Sequence, residues 1–320
     1  MLVTGGGGFI GSWLTEALFA AGAEVTVLLQ HPGLPAGFDT LGLASRVNLV
    51  YGSVADQGVV ARALDEYEVD TCFHLAAQAL VTVASENPAS TLETNAAGTW
   101  NVLEACRESH RIRAVVVASS DKVYGDQPAL PYTEAMPLLA RNVYDVSKAS
   151  ADMVARSYHH AFGLPVAITR CANVYGGGDM NFSRLFPGTI RSALRGERPV
   201  LRSDGTPVRD YLYIDDAVQA YLLLGGRAGE EGVAGEAFNF GTAEPVNALD
   251  VTRELTAACG RPDLEPDIQG TGRLALEIDA QFLDWSKARD VLGWAPAVRR
   301  ADGIARTVAW YRDHLPLLEA

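Results

Sequence analysis

Cationic charge is scarce in this chain. Among 320 residues, 26 lysines and arginines face 39 aspartates and glutamates, for a formal net charge of −13. Binding a phosphate backbone needs a basic surface, so no nucleic-acid partner is expected. Small anionic ligands stay open, because a few well-placed arginines and one helix N-terminus suffice to hold them. Cysteine is also sparse. Cys72, Cys106, Cys171 and Cys259 lie far apart, with no CxxC pair and no Cys/His cluster. Buried thiols in a reducing compartment are the expectation, and no metal site. His159 and His160 do not form a metal pair, since adjacent helical residues point in different directions. No apolar run approaches the ~18–20 residues that cross a bilayer, so no membrane partner is expected. The N-terminus carries no basic stretch ahead of an apolar one, which makes a cytoplasmic location the expectation.

What is present is enough apolar material for a large core: 48% of the chain is hydrophobic, sufficient for one large α/β unit or two modest domains. Its first half alternates strand and helix. Short β-branched or apolar segments fall at residues 2–3, 24–29, 47–51, 71–75, 114–119 and 165–170. Helical periodicity fills the gaps, with Ile10, Trp13, Leu14, Ala17, Leu18 and Ala21 on one face before Gly22. Longer helices are predicted over 91–109 and 144–162. This spacing predicts a Rossmann-type, doubly wound parallel sheet. After Arg170 the rhythm breaks into glycine- and proline-rich sequence, read as a smaller C-terminal substrate-binding lobe. The division expected is 1–172 and 173–320, with segments near 210–243 returning to the sheet. The first strand is short. Either the chain continues upstream, or this edge is poorly paired.

Two motifs carry chemistry. Gly6-Gly7-Gly8-Phe9-Ile10-Gly11 fits GxGxxG, and Gly5, Gly8 and Gly11 fit GxxGxxG. The run follows a strand and opens a helix. Glycines there permit a tight turn and close backbone approach, and the helix N-terminus faces a pyrophosphate. Gln30 stands where an acidic ribose anchor usually ends the second strand. No lysine or arginine follows closely to hold a 2′-phosphate, so NAD is expected rather than NADP. The second motif is Tyr144-Asp145-Val146-Ser147-Lys148. An i,i+4 spacing sets Tyr144 and Lys148 on one helix face. The lysine is expected to lower the phenol's pKa, so that the phenolate can take a proton from a sugar hydroxyl as hydride leaves the same carbon. Ser120, at the end of a strand, completes the set. The chain has three lysines, Lys122, Lys148 and Lys287. Two of them fall in this site, where proton exchange near neutral pH favours lysine over arginine.

These segments, with His74-Leu75-Ala76-Ala77-Gln78, Asn95-Ala96-Ala97-Gly98-Thr99 and Arg209-Asp210-Tyr211, together resemble the extended short-chain dehydrogenase/reductase family. Within it the chain most resembles the CDP-glucose 4,6-dehydratase branch, through Ser119-Ser120-Asp121-Lys122-Val123-Tyr124-Gly125, the run 169–179, and residues 187–192, 196–200 and 202–205. The resemblance implies a nucleotide-diphosphate sugar as substrate. It implies Ser120, Asp121, Lys122, Tyr144 and Lys148 as catalytic. Asp121 would protonate the departing C6 hydroxyl, and Lys122 would act at C5 as a neutral amine base or by stabilising the enolate. Gly5, Gly8, Phe9, Ile10, Gly11, Gln30, Ser53, Val54, Leu75, Ala76, Ala77, Gln78 and Asn95 would bind the cofactor together with Tyr144 and Lys148. Gln78, Asn173, Asn181, Arg184, Arg191, Arg202, Arg209 and Arg273 would bind substrate. A homodimer through 91–109 and 144–162 is implied too. Ser53, Ala172 and Val174 depart from the family pattern, which leaves room for another sugar nucleotide. The competing readings are a 4-epimerase, which needs no Asp121, and a non-catalytic dinucleotide sensor, which needs no Ser120/Tyr144/Lys148 set.

Overall fold

The computed structural model describes residues 1–270 and 278–319. The chain runs through β1 (Leu2–Thr4), α1 (Phe9–Ala20), β2 (Thr26–Leu29), α2 (Ala36–Thr40), β3 (Asn48–Tyr51), α3 (Gln57–Glu66) and β4 (Thr71–His74). It continues through α4 (Val81–Glu86), α5 (Pro88–Leu92), α6 (Gly98–Glu108), β5 (Ala114–Ala118), α7 (Val143–Phe162) and β6 (Val166–Cys171). It then leaves the sheet through β7 (Asn173–Tyr175), α8 (Leu185–Leu194), β8 (Val200–Leu201), β9 (Val208–Arg209), β10 (Tyr211–Tyr213) and α9 (Ile214–Arg227), and returns with β11 (Ala237–Phe240).

The result is a parallel seven-stranded sheet in the order β11-β6-β5-β4-β1-β2-β3. Strand order reverses between β1 and β4, which opens a crevice at their carboxyl ends. Successive strand residues feed two cores. Leu2, Cys72, Val115, Val117, Val166 and Ile168 face α3 and α6; Val3, Phe73, Val116 and Ala167 face the side of α1 and α9. Both faces are covered, which is why these strands read as continuous apolar runs rather than as alternation. Each such aliphatic side chain contributes roughly 1.5–3 kcal/mol of transfer free energy.

The weak edge expected at the first strand is not found. β1 lies inside the sheet, with Leu2, Val3 and Thr4 in register with Thr26, Val27 and Leu28 on one side and with Cys72, Phe73 and His74 on the other. The flanking carbonyls extend the ladder: Thr26 N–H donates to Met1 at 2.8 Å and Leu75 N–H to Thr4 at 3.0 Å. Three residues suffice where both neighbours pair.

α7 begins where Asn142 Oδ1 accepts the Asp145 N–H at 2.9 Å and ends at Gly163, whose φ of +70° suits a left-handed cap. The helix predicted over 91–109 runs from α5 into α6 through a wide turn, Glu93–Ala97, with π-type bonding. That turn carries Asn95 inward. The lobe beyond the sheet is built from small sheets β10-β7, β12 (Val246–Asn247)-β9-β14 (Ala280–Gln281) and β13 (Asp267–Ile268)-β8. They pack with α8, α10 (Ala248–Ala258) and α11 (Arg300–Asp313). No helix among the described residues is long and apolar enough to cross a membrane.

Candidate active site

The glycine run turns sharply between β1 and α1. Gly5 adopts φ +70°, and a Cβ there would sit 2.6 Å from the Ala76 nitrogen. A Cβ at Gly11 would strike the Gly5 carbonyl. Gly5 and Gly11 are thus held close against backbone, and the turn is closed by Gly8 N–H donating to Gly5 O at 2.9 Å. Gly8 caps α1 without a side chain, which leaves the first-turn N–H groups aimed at an external acceptor. These features fit a dinucleotide pyrophosphate.

A cavity of about 1040 Å³ extends from this loop. Phe9, Ile10, Gln30, Ser53, Val54 and the loop Leu75, Ala76, Ala77 and Gln78 line its cofactor end. That loop is pinned at both ends. Thr4 Oγ1 accepts from Ala76 N–H at 3.3 Å, and Asn95 Oδ1 accepts from Gln78 N–H at 2.7 Å. Asn95 does not line the cavity. Its Nδ2 donates to Gln78 O at 3.0 Å and to Ser147 Oγ at 2.8 Å, and Ser147 Oγ donates to Tyr144 O at 2.7 Å. Asn95 thus ties the cofactor loop to the helix that carries Tyr144. Beneath the loop, fully buried His74 sits between Thr4 Oγ1 at 2.8 Å and Thr99 Oγ1 at 3.0 Å. Burial, aided by the Lys148 charge, lowers its pKa to about 3, so it is neutral.

Ser120, Asp121, Lys122, Tyr144 and Lys148 all line the middle of the cavity. Ser120 Oγ donates to Asp121 Oδ1 at 3.0 Å and accepts from Lys122 N–H at 3.2 Å. Asp121 is 2% exposed, and its Oδ2 has no protein partner. Lys148 Nζ donates to Ala118 O at 2.7 Å, and burial lowers its pKa to about 8. The expected lowering of the Tyr144 pKa does not occur in the protein alone. Burial first, then the Asp121 and Asp145 charges, push it up to about 12 against the opposing Arg184 charge and Ser120 hydrogen bond. Desolvation of the phenol dominates, and the cation that opposes it is Arg184.

The far end of the cavity holds Asn173, Asn181, Arg184 and Arg202. Asn173 Nδ2 donates to Asp210 O at 3.3 Å. Asn181 is held by its Oδ1, which accepts from Ser183, while its buried Nδ2 has no protein partner. Arg184 pairs with Asp179 at 2.9 Å. Asp121, Ser119 and Asn181, each with an unpartnered buried polar atom, all line this one cavity, as suits a ligand rich in hydroxyl groups. Ala172 and Val174 line it too. Arg191 and Arg209 do not. The Arg191 guanidinium lies 4.3 Å from the Phe182 ring centroid, and Arg209 Nη1 donates to Val208 O at 2.8 Å. Arg273 lies outside the described residues.

Motif reading missed Gln281, Ser147 and Asp145. Gln281 contacts both Asp121 and Lys122, yet sits in a stretch with no motif. Asp145 is 4% exposed, and burial raises its pKa to about 6 against the pull of Lys122. Among the described residues no group of His, Cys, Asp or Glu could hold a metal ion, and all four cysteines are free and buried.

A dinucleotide crevice that shares a wall with a half-buried tyrosine and a buried lysine defines a nicotinamide-dependent enzyme that oxidises a substrate hydroxyl. A family model described as GDP-mannose 4,6 dehydratase matches residues 2–307. The chain is 32% identical to the UDP-glucose 4-epimerase of Mycolicibacterium smegmatis, over 98% of each chain. It is also 32% identical to the dTDP-glucose 4,6-dehydratase of Streptomyces niveus, over 98% of this chain and 93% of that one. The fold superposes on the dTDP-glucose 4,6-dehydratase of Streptomyces venezuelae, solved with NAD, at TM-score 0.88, with 34% identity and 99% of both chains covered. The UDP-glucose 4-epimerase of Thermotoga maritima gives TM-score 0.89 with 30% identity, over 98% of this chain and 99% of that one. The chain therefore belongs to the GDP-mannose 4,6 dehydratase family, within the extended short-chain dehydrogenase/reductases whose NAD-dependent members are nucleotide-sugar epimerases and dehydratases. The names of these relatives specify dTDP and UDP; a preference for CDP rests on the sequence motifs alone.

Proposed function

We propose that this enzyme is a nucleotide-sugar 4,6-dehydratase that takes CDP-glucose or a related NDP-hexose to the 4-keto-6-deoxy sugar, with NAD as its cofactor. The observation that carries this reading is Asp121. It is a buried carboxyl on a residue that lines the cavity, hydrogen-bonded to Ser120 through one oxygen and with its other oxygen unpartnered. A dehydratase needs an acid at this point and an epimerase does not.

The nicotinamide, when bound, accepts one hydride and later returns it. Tyr144 takes the proton of the sugar C4 hydroxyl, and Ser120 orients that hydroxyl. Lys148 lends positive charge to the phenolate. The resulting C4 ketone acidifies the C5–H. Lys122 acts at C5: as the neutral amine it takes this proton, and the ammonium so formed stabilises the enolate. Asp121 gives a proton to the C6 hydroxyl, which leaves as water. Lys122 then gives its proton back to C5, and the net change is loss of one water. Gly5, Gly8, Phe9, Ile10, Gly11, Gln30, Ser53, Val54 and the loop 75–78 would hold the dinucleotide. Asn173, Asn181, Arg184 and Arg202 would hold the sugar diphosphate, with Arg209, Arg191 and Arg273 carried by resemblance.

Product mass after incubation with NAD and a panel of nucleotide sugars, CDP-glucose included, tests the reading. Loss of one water supports it and identifies the nucleotide. An isomer of unchanged mass favours the second reading, a 4-epimerase, which the similarity to UDP-glucose 4-epimerases supports. We also propose a homodimer through α5, α6 and α7, on which Leu92, Trp100, Met153 and Phe162 are exposed.

A further inference from the structure

We propose that Gln281 is the positioning residue of the Asp121–Lys122 pair, an inference that rests on the dehydratase reading above. Gln281 is fully buried and does not line the cavity. It stands behind the pair and touches no substrate.

Its strand is held from two sides. β14 pairs with β9 of the lobe, with Gln281 in register with Arg209. Immediately afterwards Leu283 bridges to Tyr132. Tyr132 N–H donates to Phe282 O at 2.9 Å, and Asp284 N–H donates to Tyr132 O at 2.9 Å. A side chain rooted in backbone anchored this way has little freedom to follow its neighbours. Its neighbours follow it.

The orientation of the amide is set by chemistry. Gln281 Nε2 donates to the Asp121 backbone carbonyl at 2.7 Å. That carbonyl can only accept, so Oε1 must face the other way, where it accepts from Lys122 Nζ. The flipped amide would set acceptor against acceptor and donor against donor. One neutral side chain therefore holds the main chain of the acid and the terminal atom of the residue that acts at C5. Only glutamine among the polar side chains of this length offers both the donor and the acceptor. Glutamate keeps the acceptor and loses the donor, and leucine loses both.

Misplacing a reacting group by about 1 Å costs on the order of a hundredfold in rate. Gln281→Leu should therefore lower kcat for water loss by about that factor. KM should stay within about threefold, since substrate binding is left intact. Gln281→Glu should recover part of the loss. A second readout needs no turnover. The chain has only three lysines, so side-chain lysine NMR of the protein with NAD resolves Lys122, assigned through Lys122→Arg. Gln281→Leu should move the Lys122 signal and leave Lys148 and Lys287 in place. Where Gln281→Leu fails to fold, Gln281→Glu carries the same comparison. An unmoved Lys122 signal, or water loss at the wild-type rate in the variants, overturns the inference and leaves the dehydratase reading standing. Wild-type protein that returns only isomers of unchanged mass overturns that reading instead, while the NMR comparison still decides whether Gln281 governs Lys122.

Discussion

Replacing Asp121 with asparagine separates the two halves of the proposed reaction. The substitution is nearly isosteric in a site 2% exposed. The new amide oxygen can still accept from Ser120 Oγ, as Asp121 Oδ1 does at 3.0 Å, so the loop 120–122 keeps its shape. What is lost is the unpartnered oxygen that can carry a proton. General acid catalysis contributes about 10²–10⁴-fold, or about 2.7–5.4 kcal/mol of barrier at 1.36 kcal/mol per tenfold. Elimination of the C6 hydroxyl should slow by that amount. Oxidation at C4 should not slow. Tyr144 and Ser120 handle the C4 hydroxyl in this scheme, and both are left in place. Rapid mixing of the Asp121→Asn variant with NAD and substrate should therefore show reduced nicotinamide accumulating in the near ultraviolet, while the water-loss product lags. Water loss within about threefold of wild type, well short of the range for a lost general acid, would refute the role given to Asp121. Failure to reduce the cofactor at all would refute the claim that the two steps use different groups.

Tyr144→Phe should abolish turnover and leave the Kd for NAD within about threefold, because the hydroxyl acts on the substrate proton; an equal loss of cofactor affinity, measured by calorimetry, would contradict this. Asp145 titrates near 6 when folded and near 3.8 when unfolded, so its charged form is disfavoured in the fold. Asp145→Asn should raise Tm at pH 7, and the gain should shrink as pH falls from 6 to 3.8, where the wild-type carboxyl takes up its proton in the native state. A gain independent of pH would point away from desolvation. Met153→Glu, on a side chain 60% exposed, should turn the proposed dimer into a monomer by sedimentation or light scattering; unaltered mass would move the interface elsewhere.

Much of the scaffold was legible in the chain. Strand–helix alternation, the glycine run and the YxxxK spacing depend on residues within one or two turns of each other, and the helix predicted over 144–162 is observed as Val143–Phe162. Local sterics and periodicity decide such features. The family resemblance could be read for the same reason, since its motifs are contiguous. Placement of β1 inside the sheet was not legible, because strand order is set by pairing partners that lie 24 and 70 residues away. Nor was the direction of the Tyr144 pKa, which depends on how much water the folded cavity excludes. Two of the expected substrate arginines, Arg191 and Arg209, do not line the cavity for a related reason: a motif specifies a residue but not where the fold places its side chain. Gln281 marks the limit most clearly. It meets Lys122 across 159 residues of sequence. The sequence alone determined which chemical groups the protein carries and the elements that hold them. The tertiary structure decided which of those groups share one cavity, because long-range pairing and desolvation exist only once the chain has folded.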